Sequence, residues 1–436
     1  MTTTSATPST GTLHKKITMR YAVALYISSV LGSGILVLPG LAAELAGPAS
    51  LLAWLGLSLV SYPFAYTFAS LSARRPKSGG IYVFAKESFG PRVANVVGWF
   101  FAAWFITGAP AVTLIAASYI SYAFPVSREA AYSLAALIII FAAMINYEGI
   151  VISGKVQLGV VAAIVALLLA TVLASTRLVE QGNFFPLFPN GFLPIGVAAA
   201  LIIWSYFGYE NVPNVAEEFE NPERDFPRSI TLSVLLISGL YLSVAFVTVG
   251  TRAYQAGGSV APFAAILSNV LGPYAAMGTA VLAVLIIFGT VNAYMAGISR
   301  VVYAVAREGG LPKILDKIHP RTGVPNRCLI ALLVLSQLTL ILFFVLNVSL
   351  QSALLIPSGA AISVYVIGSA SGIKLLKEKG MKRLFPWISF AVSIMILPFV
   401  GVWLTVSLAV AVLSLAYGQF IGKENRGKDY SREPPK

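Results

Sequence analysis

The chain has 436 residues, 57% of them hydrophobic and only 11% charged, with a mean hydropathy of +0.82, values that exclude an ordinary soluble domain. A formal net charge of +13 would suit a nucleic-acid binder, but the placement of the basic residues, given below, rejects that reading. One cysteine, Cys328, excludes an intrachain disulfide, and two histidines, His14 and His319, leave haem, zinc and intramembrane triad chemistry almost without ligands.

Residues 1–18 open the chain as a polar cytoplasmic tail, and its first stretch, MTTTSATPSTGTL, is expected to be disordered. The first apolar run after it is one long span among many, so no cleaved leader is expected. Twelve apolar stretches follow, each close to the roughly 20 residues that a bilayer crossing needs. In chain order they are 19–46, 49–72, 95–122, 129–146, 152–173, 192–218, 228–250, 273–305, 326–346, 350–374, 384–400 and 402–421.

The first span carries Gly32-Ser33-Gly34 near its middle. The sixth carries Phe207-Gly208-Tyr209-Glu210 at a similar depth, with Pro213 just after it. Helices tolerate Gly badly and Pro worse, and in lipid the freed backbone groups persist only where they line a cavity or meet protein partners. Two interrupted spans at matching places in two halves point to a transport site near the bilayer midplane. Spans one to five (19–173) and six to ten (174–375) read as two repeats, each opening on an interrupted helix. Five is odd, so the repeats enter from opposite sides and are inverted. Spans eleven and twelve (376–421) and a short charged tail (422–436) complete the chain.

Residues 73–90, basic and aromatic, read as an interfacial or re-entrant helix, and 251–272 as an external loop with a short surface helix. With the N-terminus inside, all thirty Lys and Arg except Arg128, Arg177 and Arg252 fall on the cytoplasmic side. That asymmetry fixes a multi-pass protein of the cell membrane with both termini cytoplasmic. The basic charge is therefore topological, and the partners it implies are the bilayer and its anionic headgroups, with no nucleic acid.

Opening a helix at Gly32–Gly34 presents the N–H groups of Ser33, Gly34 and Ile35 at the positive end of a half-helix, where a carboxylate fits without any arginine. Around Trp204, Ser205 and Phe207 the second break offers carbonyls at the negative end of a half-helix, suited to an ammonium group. Glu210 sits at that break. A carboxylate at membrane depth is costly and faces a cavity by default, and burial raises its pKa toward reversible protonation.

GSGILVLPG, WSYFGYE, AREGGLP and above all EEFENPERDFPRSI resemble the amino acid–polyamine–organocation permeases over nearly the whole chain. The resemblance implies an all-α polytopic membrane protein with the leucine-transporter-like fold, twelve transmembrane helices, 5+5 inverted repeats and broken helices 1 and 6. The NPERDFPR run is most similar to a branch that exports methionine and branched-chain amino acids. At the site the chain is similar to a branch that exchanges arginine for agmatine. That likeness lays an aromatic gate onto Trp204, a proton-linked carboxylate onto Glu210, a stacking aromatic onto Tyr294 and a polar contact near Thr107. Asn292 lies close by.

Two departures matter. Several members carry a lysine in span five where this chain has Ile164, and sodium would want paired hydroxyls in span eight, where Ser299 stands alone. Proton coupling through Glu210 is therefore expected. The resemblance and the apolar, aromatic candidates (Phe105, Trp204, Tyr209, Tyr294) together imply a secondary active transporter of neutral apolar amino acids, without a cofactor and not an enzyme. A basic amino acid or polyamine antiporter, or an amino-acid sensor without net transport, stays open at this point.

Overall fold

The computed structural model describes residues 30–74, 80–149, 154–209 and 222–430, preceded by Met19, Val23, Tyr26 and Ile27; within 154–158, 222–227 and 421–430 it describes the backbone alone. Glu210 and Pro213 lie outside the described residues. The described chain is all-helical, with α1 (Gly34–Ala46), α2 (Ser50–Arg74), α3 (Gly80–Phe89), α4 (Pro91–Ala123), α5 (Arg128–Tyr147), α6 (Gly154–Ser175) and α7 (Leu193–Ile202) in its first half. The second half holds α8 (Pro222–Gly250), α9 (Pro262–Leu271), α10 (Tyr274–Arg307), α11 (Asn326–Val345), α12 (Leu350–Leu375), α13 (Leu384–Ile396) and α14 (Leu404–Tyr430).

Local chemistry sets several helix starts. Pro91 opens α4 and Pro262 opens α9, positions where the missing N–H costs nothing. Ser127 caps α5 by accepting from Ala130 N at 3.3 Å, and Ser349 caps α12 by accepting from Ser352 N at 3.2 Å. Among the described residues nine helical segments are long and apolar enough to cross a membrane, and two of them, Gly34–Arg74 and Gly380–Phe420, run 41 residues each. The first of these contains α1 and α2; the second contains α13 and the part of α14 up to Phe420.

Helix α4 runs through the middle of the bundle, packed against α3, α5, α10, α11, α12 and α14. It comes close to α10 at Gly98, where an added Cβ would lie 2.6 Å from Val305 Cγ2. Small residues that let backbones approach are how helices associate where lipid removes the hydrophobic drive. A second layer of α1, α2, α7 and α8 packs on itself and meets α4 and α12 around the site. Several buried hydroxyls are returned to their own helices, as with Thr113 to Pro110 O at 2.9 Å and Thr171 to Leu167 O at 2.8 Å. Large apolar side chains such as Leu59, Leu173 and Leu235 cover the outer faces.

Charges gather at the helix ends. Helix α3 is fixed to the end of α10 by Lys86 Nζ and Tyr82 Oη, which donate to Glu308 Oε2 at 2.8 and 2.6 Å. Partial burial works against the Glu308 charge, but these two hydrogen bonds outweigh it and hold the carboxyl below its ordinary range. The same end of the bundle carries Arg74–Glu378 at 2.7 Å and Lys374 Nζ donating to Ser88 O at 2.7 Å. At the opposite end, where α4 passes into α5, Arg128 lies over the rings of Phe344 (4.4 Å) and Tyr132 (5.3 Å) and donates to Phe344 O. Helix α9 falls within the segment read as an external loop, and it is more than a surface helix: Pro262 through Leu267 are buried.

Candidate functional site

Among the described residues, the backbone leaves helical geometry at two places that come together inside the bundle. Before α1, residues 31–33 form a bend and a turn, and regular helix begins at Gly34. The first turn of any helix leaves N–H groups without intrahelical partners, and Ser33, at the N-cap, does not cap them with its side chain. Tyr119 Oη of α4 donates to Leu36 O at 2.6 Å and ties this turn to the central helix.

The second departure follows α7. A 3-10 turn spans Ile203–Tyr206, Phe207 is extended (φ −75°, ψ 147°), and Gly208 takes φ +125°. A side chain at 208 would strain that backbone, so glycine is required there. Phe207 N donates to Trp204 O at 3.3 Å, the last turn before the chain opens.

These two segments meet at Gly34. A Cβ there would stand 2.7 Å from Ser205 Oγ and 2.9 Å from Trp204 Cδ1, so only glycine lets the turn ahead of α1 and the 3-10 turn touch. The Ser205 hydroxyl is buried and, among the described residues, has no hydrogen-bond partner. An unmet buried hydroxyl costs free energy unless a ligand supplies the missing bond.

Beside this contact lies a cleft lined by four segments of the chain. Val30, Gly32, Ser33 and Gly34 form one wall; Trp104, Phe105, Gly108, Ala109 and Val112 of α4 form another. Trp204 and Phe207 close it on a third side, and Thr290, Val291, Tyr294 and Ile298 of α10 on the fourth. Trp104 is the hub of an aromatic cluster, with ring centroids 5.2 Å from Phe207, 6.0 Å from Tyr294 and 6.1 Å from Trp204, all edge to face. Gly108 gives Trp204 its place, since a Cβ on it would come 3.0 Å from Trp204 Cη2. No lining residue among those described carries an ionisable acid or base other than the Tyr294 phenol.

Of the residues picked from the sequence, Ser33, Gly34, Phe105, Trp204, Phe207 and Tyr294 line the cleft. Ser205 stands behind Gly34, and Ile35, next to Gly34 in the chain, is fully buried and not part of the lining. Thr107 is not brought in: its hydroxyl bonds to Ala103 O at 2.8 Å on a different face of α4. Nor is Asn292, whose Oδ1 accepts from Asn146 Nδ2 of α5 at 2.8 Å. Tyr209 packs against Tyr26 instead, their ring centroids 6.3 Å apart. Trp104, Gly108 and Thr290 escape the sequence reading, although the spacing 104, 105, 108, 109, 112 marks one helix face once Phe105 is known to face inward.

The sequence profile of one family, described as amino acid permease, matches residues 17–425. An uncharacterized amino acid permease of Bacillus subtilis is 34% identical, over 84% of this chain and 87% of its own length. The L-methionine/branched-chain amino acid exporter of Escherichia coli is 29% identical, over 89% of this chain and 92% of its own. A branched-chain amino acid permease of Bacillus subtilis is 28% identical, over 69% of each chain.

Proposed function

This chain belongs to the amino acid permease family, and on that premise we propose that it is a secondary active transporter of neutral, apolar amino acids working by alternating access. The observation that carries the proposal is the contact of Gly34 with an unpartnered Ser205 hydroxyl beside the uncapped start of α1. That end of the cleft offers N–H and O–H donors to a carboxylate. Carbonyls of the 3-10 turn offer acceptors to an ammonium group, and the aromatic walls receive an uncharged side chain. The names of the Escherichia coli exporter and the Bacillus subtilis branched-chain permease agree with this substrate class.

The architecture proposed with it has twelve spans in two inverted five-helix repeats, the first and sixth interrupted, and a final pair. In this reading the two 41-residue segments supply two crossings each, and the shorter apolar segment Leu193–Tyr206 belongs to the sixth. The end of the bundle that carries α3 is cytoplasmic in this reading, because Lys and Arg collect there.

Counterflow in proteoliposomes tests the function. Methionine, leucine, isoleucine and valine should exchange, arginine and putrescine should not, and an amino acid amide should fail to compete. Exchange of arginine in place of leucine would overturn the substrate class, and binding without counterflow would turn the protein into a sensor.

Coupling to protons is the second part of the proposal and rests on Glu210. Glu210→Gln should retain binding and lose the pH dependence of flux between roughly pH 5 and 7, the window of a carboxyl raised by burial. Flux that keeps its pH dependence in this variant assigns coupling to another group.

A further inference from the structure

Tyr241 lies on α8, fully buried and outside the set of cleft-lining residues. Its hydroxyl is 3.0 Å from Val30 O and 2.9 Å from Ser205 O. These two carbonyls belong to the two places where the chain leaves α-helical geometry. Val30 is the residue before the bend that precedes α1, and Ser205 is in the 3-10 turn that ends α7. One phenol therefore joins both interruptions from a third helix.

The phenol is fixed. Its ring meets Trp54 of α2 edge to face at 5.5 Å and Tyr206 at 5.2 Å, so the hydroxyl has little freedom to swing away. Val30 O already accepts from Gly32 N at 2.8 Å, which makes the Tyr241 hydroxyl its second partner. A carbonyl oxygen has two lone pairs, so Val30 O is fully used within the protein. Ser205 O belongs to the 3-10 turn whose carbonyls meet the ammonium group in the reading above, and the Tyr241 hydroxyl ties that turn to the backbone ahead of α1.

We propose that Tyr241 is a positioning residue for the amine end of the site: its single hydroxyl bridges Val30 O and Ser205 O and holds in place the 3-10 turn whose carbonyls would meet a substrate ammonium group. The proposal rests on the amino acid reading above and extends it to a residue that does not touch substrate. Preorganised dipoles act on a charge more strongly than dipoles that must turn to meet it. Without the hydroxyl, two carbonyls drawn toward one proton lose the group that keeps them together. The turn that carries Ser205 then relaxes, and the ammonium meets a disordered set of acceptors.

The test pairs Tyr241→Phe, which keeps the ring and its edge contacts, with ligands that lack one charged group. Inhibition of labelled leucine binding is measured in detergent for leucine, for 4-methylpentanoate, which lacks the amine, and for isopentylamine, which lacks the carboxylate. Tyr241→Phe should weaken leucine and isopentylamine by a common factor of about tenfold and leave 4-methylpentanoate unchanged. Equal weakening of all three ligands, or of none, overturns the positioning role and leaves the amino acid reading intact. Failure of the wild-type protein to bind leucine overturns both. If Tyr241→Phe does not fold, 3-fluorotyrosine at position 241 keeps the shape and makes the hydroxyl a stronger donor. It should then shift leucine and isopentylamine alone, and a shift shared by 4-methylpentanoate, or no shift at all, counts against the proposal.

Discussion

Gly34→Val abolishes counterflow, by on the order of a hundredfold or more, without removing the protein from the membrane. A branched side chain at 34 has no room, because its first carbon alone would stand 2.7 Å from Ser205 Oγ, 2.9 Å from Trp204 Cδ1 and 3.2 Å from Leu38 Cδ1. The turn ahead of α1 and the 3-10 turn must then separate, and groups that bind one ligand together lose much of their effect when displaced by about an ångström. The added methyl groups also cover the N–H groups that would meet a carboxylate. Gly34→Ala is the graded companion, with one carbon to accommodate and a smaller loss. Flux normalised to folded, membrane-inserted protein decides the matter, and normal flux in Gly34→Val removes this contact from the transport site.

Trp204→Ala produces the second large loss, in both retention and turnover of apolar substrates. The indole lies edge-on to Trp104 at 6.1 Å and to Phe207 at 6.2 Å, and it fills the space that Gly108 leaves open. Its removal opens the cleft wall and takes away burial and aromatic contact worth about 3 kcal/mol or more for a tryptophan in a packed site. Trp204→Phe should fall between the two. If the indole only fills a gap, both variants reduce folded yield in parallel and leave counterflow per folded molecule untouched, so that ratio is the measurement to make.

Length and hydropathy made the helices legible, and Gly and Pro inside apolar runs drew attention to the stretches where the bend at 31–33 and the 3-10 turn at 203–206 are found, because both residues weaken a helix. Trp204 and Phe207 were found through the same reasoning, since they stand at an interruption. The faces of α4 and α10 were not legible. A helix packed on many sides has no polar stripe to give its rotation, and residue type then misleads. Thr107 is polar and close to the right depth, yet it bonds its own helix, while the apolar neighbours Trp104 and Gly108 form the wall. Asn292 and Thr290 differ in the same way by two positions, enough on a helix to turn a side chain from α5 to the cleft. Tyr241 was beyond sequence reasoning altogether, because its two partners are backbone carbonyls far away along the chain.

The absence of acid and ammonium side chains from the described lining of the cleft has an electrical consequence. A zwitterion seated among aromatic rings and backbone groups adds no net charge to the protein that carries it. Membrane voltage does work of about 2.3 kcal/mol per 100 mV on each elementary charge moved across, and on a neutral load it does none. Under the proposed function, the amino acid itself therefore adds no voltage dependence to the reorientation of this cleft. Any current recorded during transport belongs to the coupled ion, and its ratio to the amino acid flux reads the stoichiometry directly.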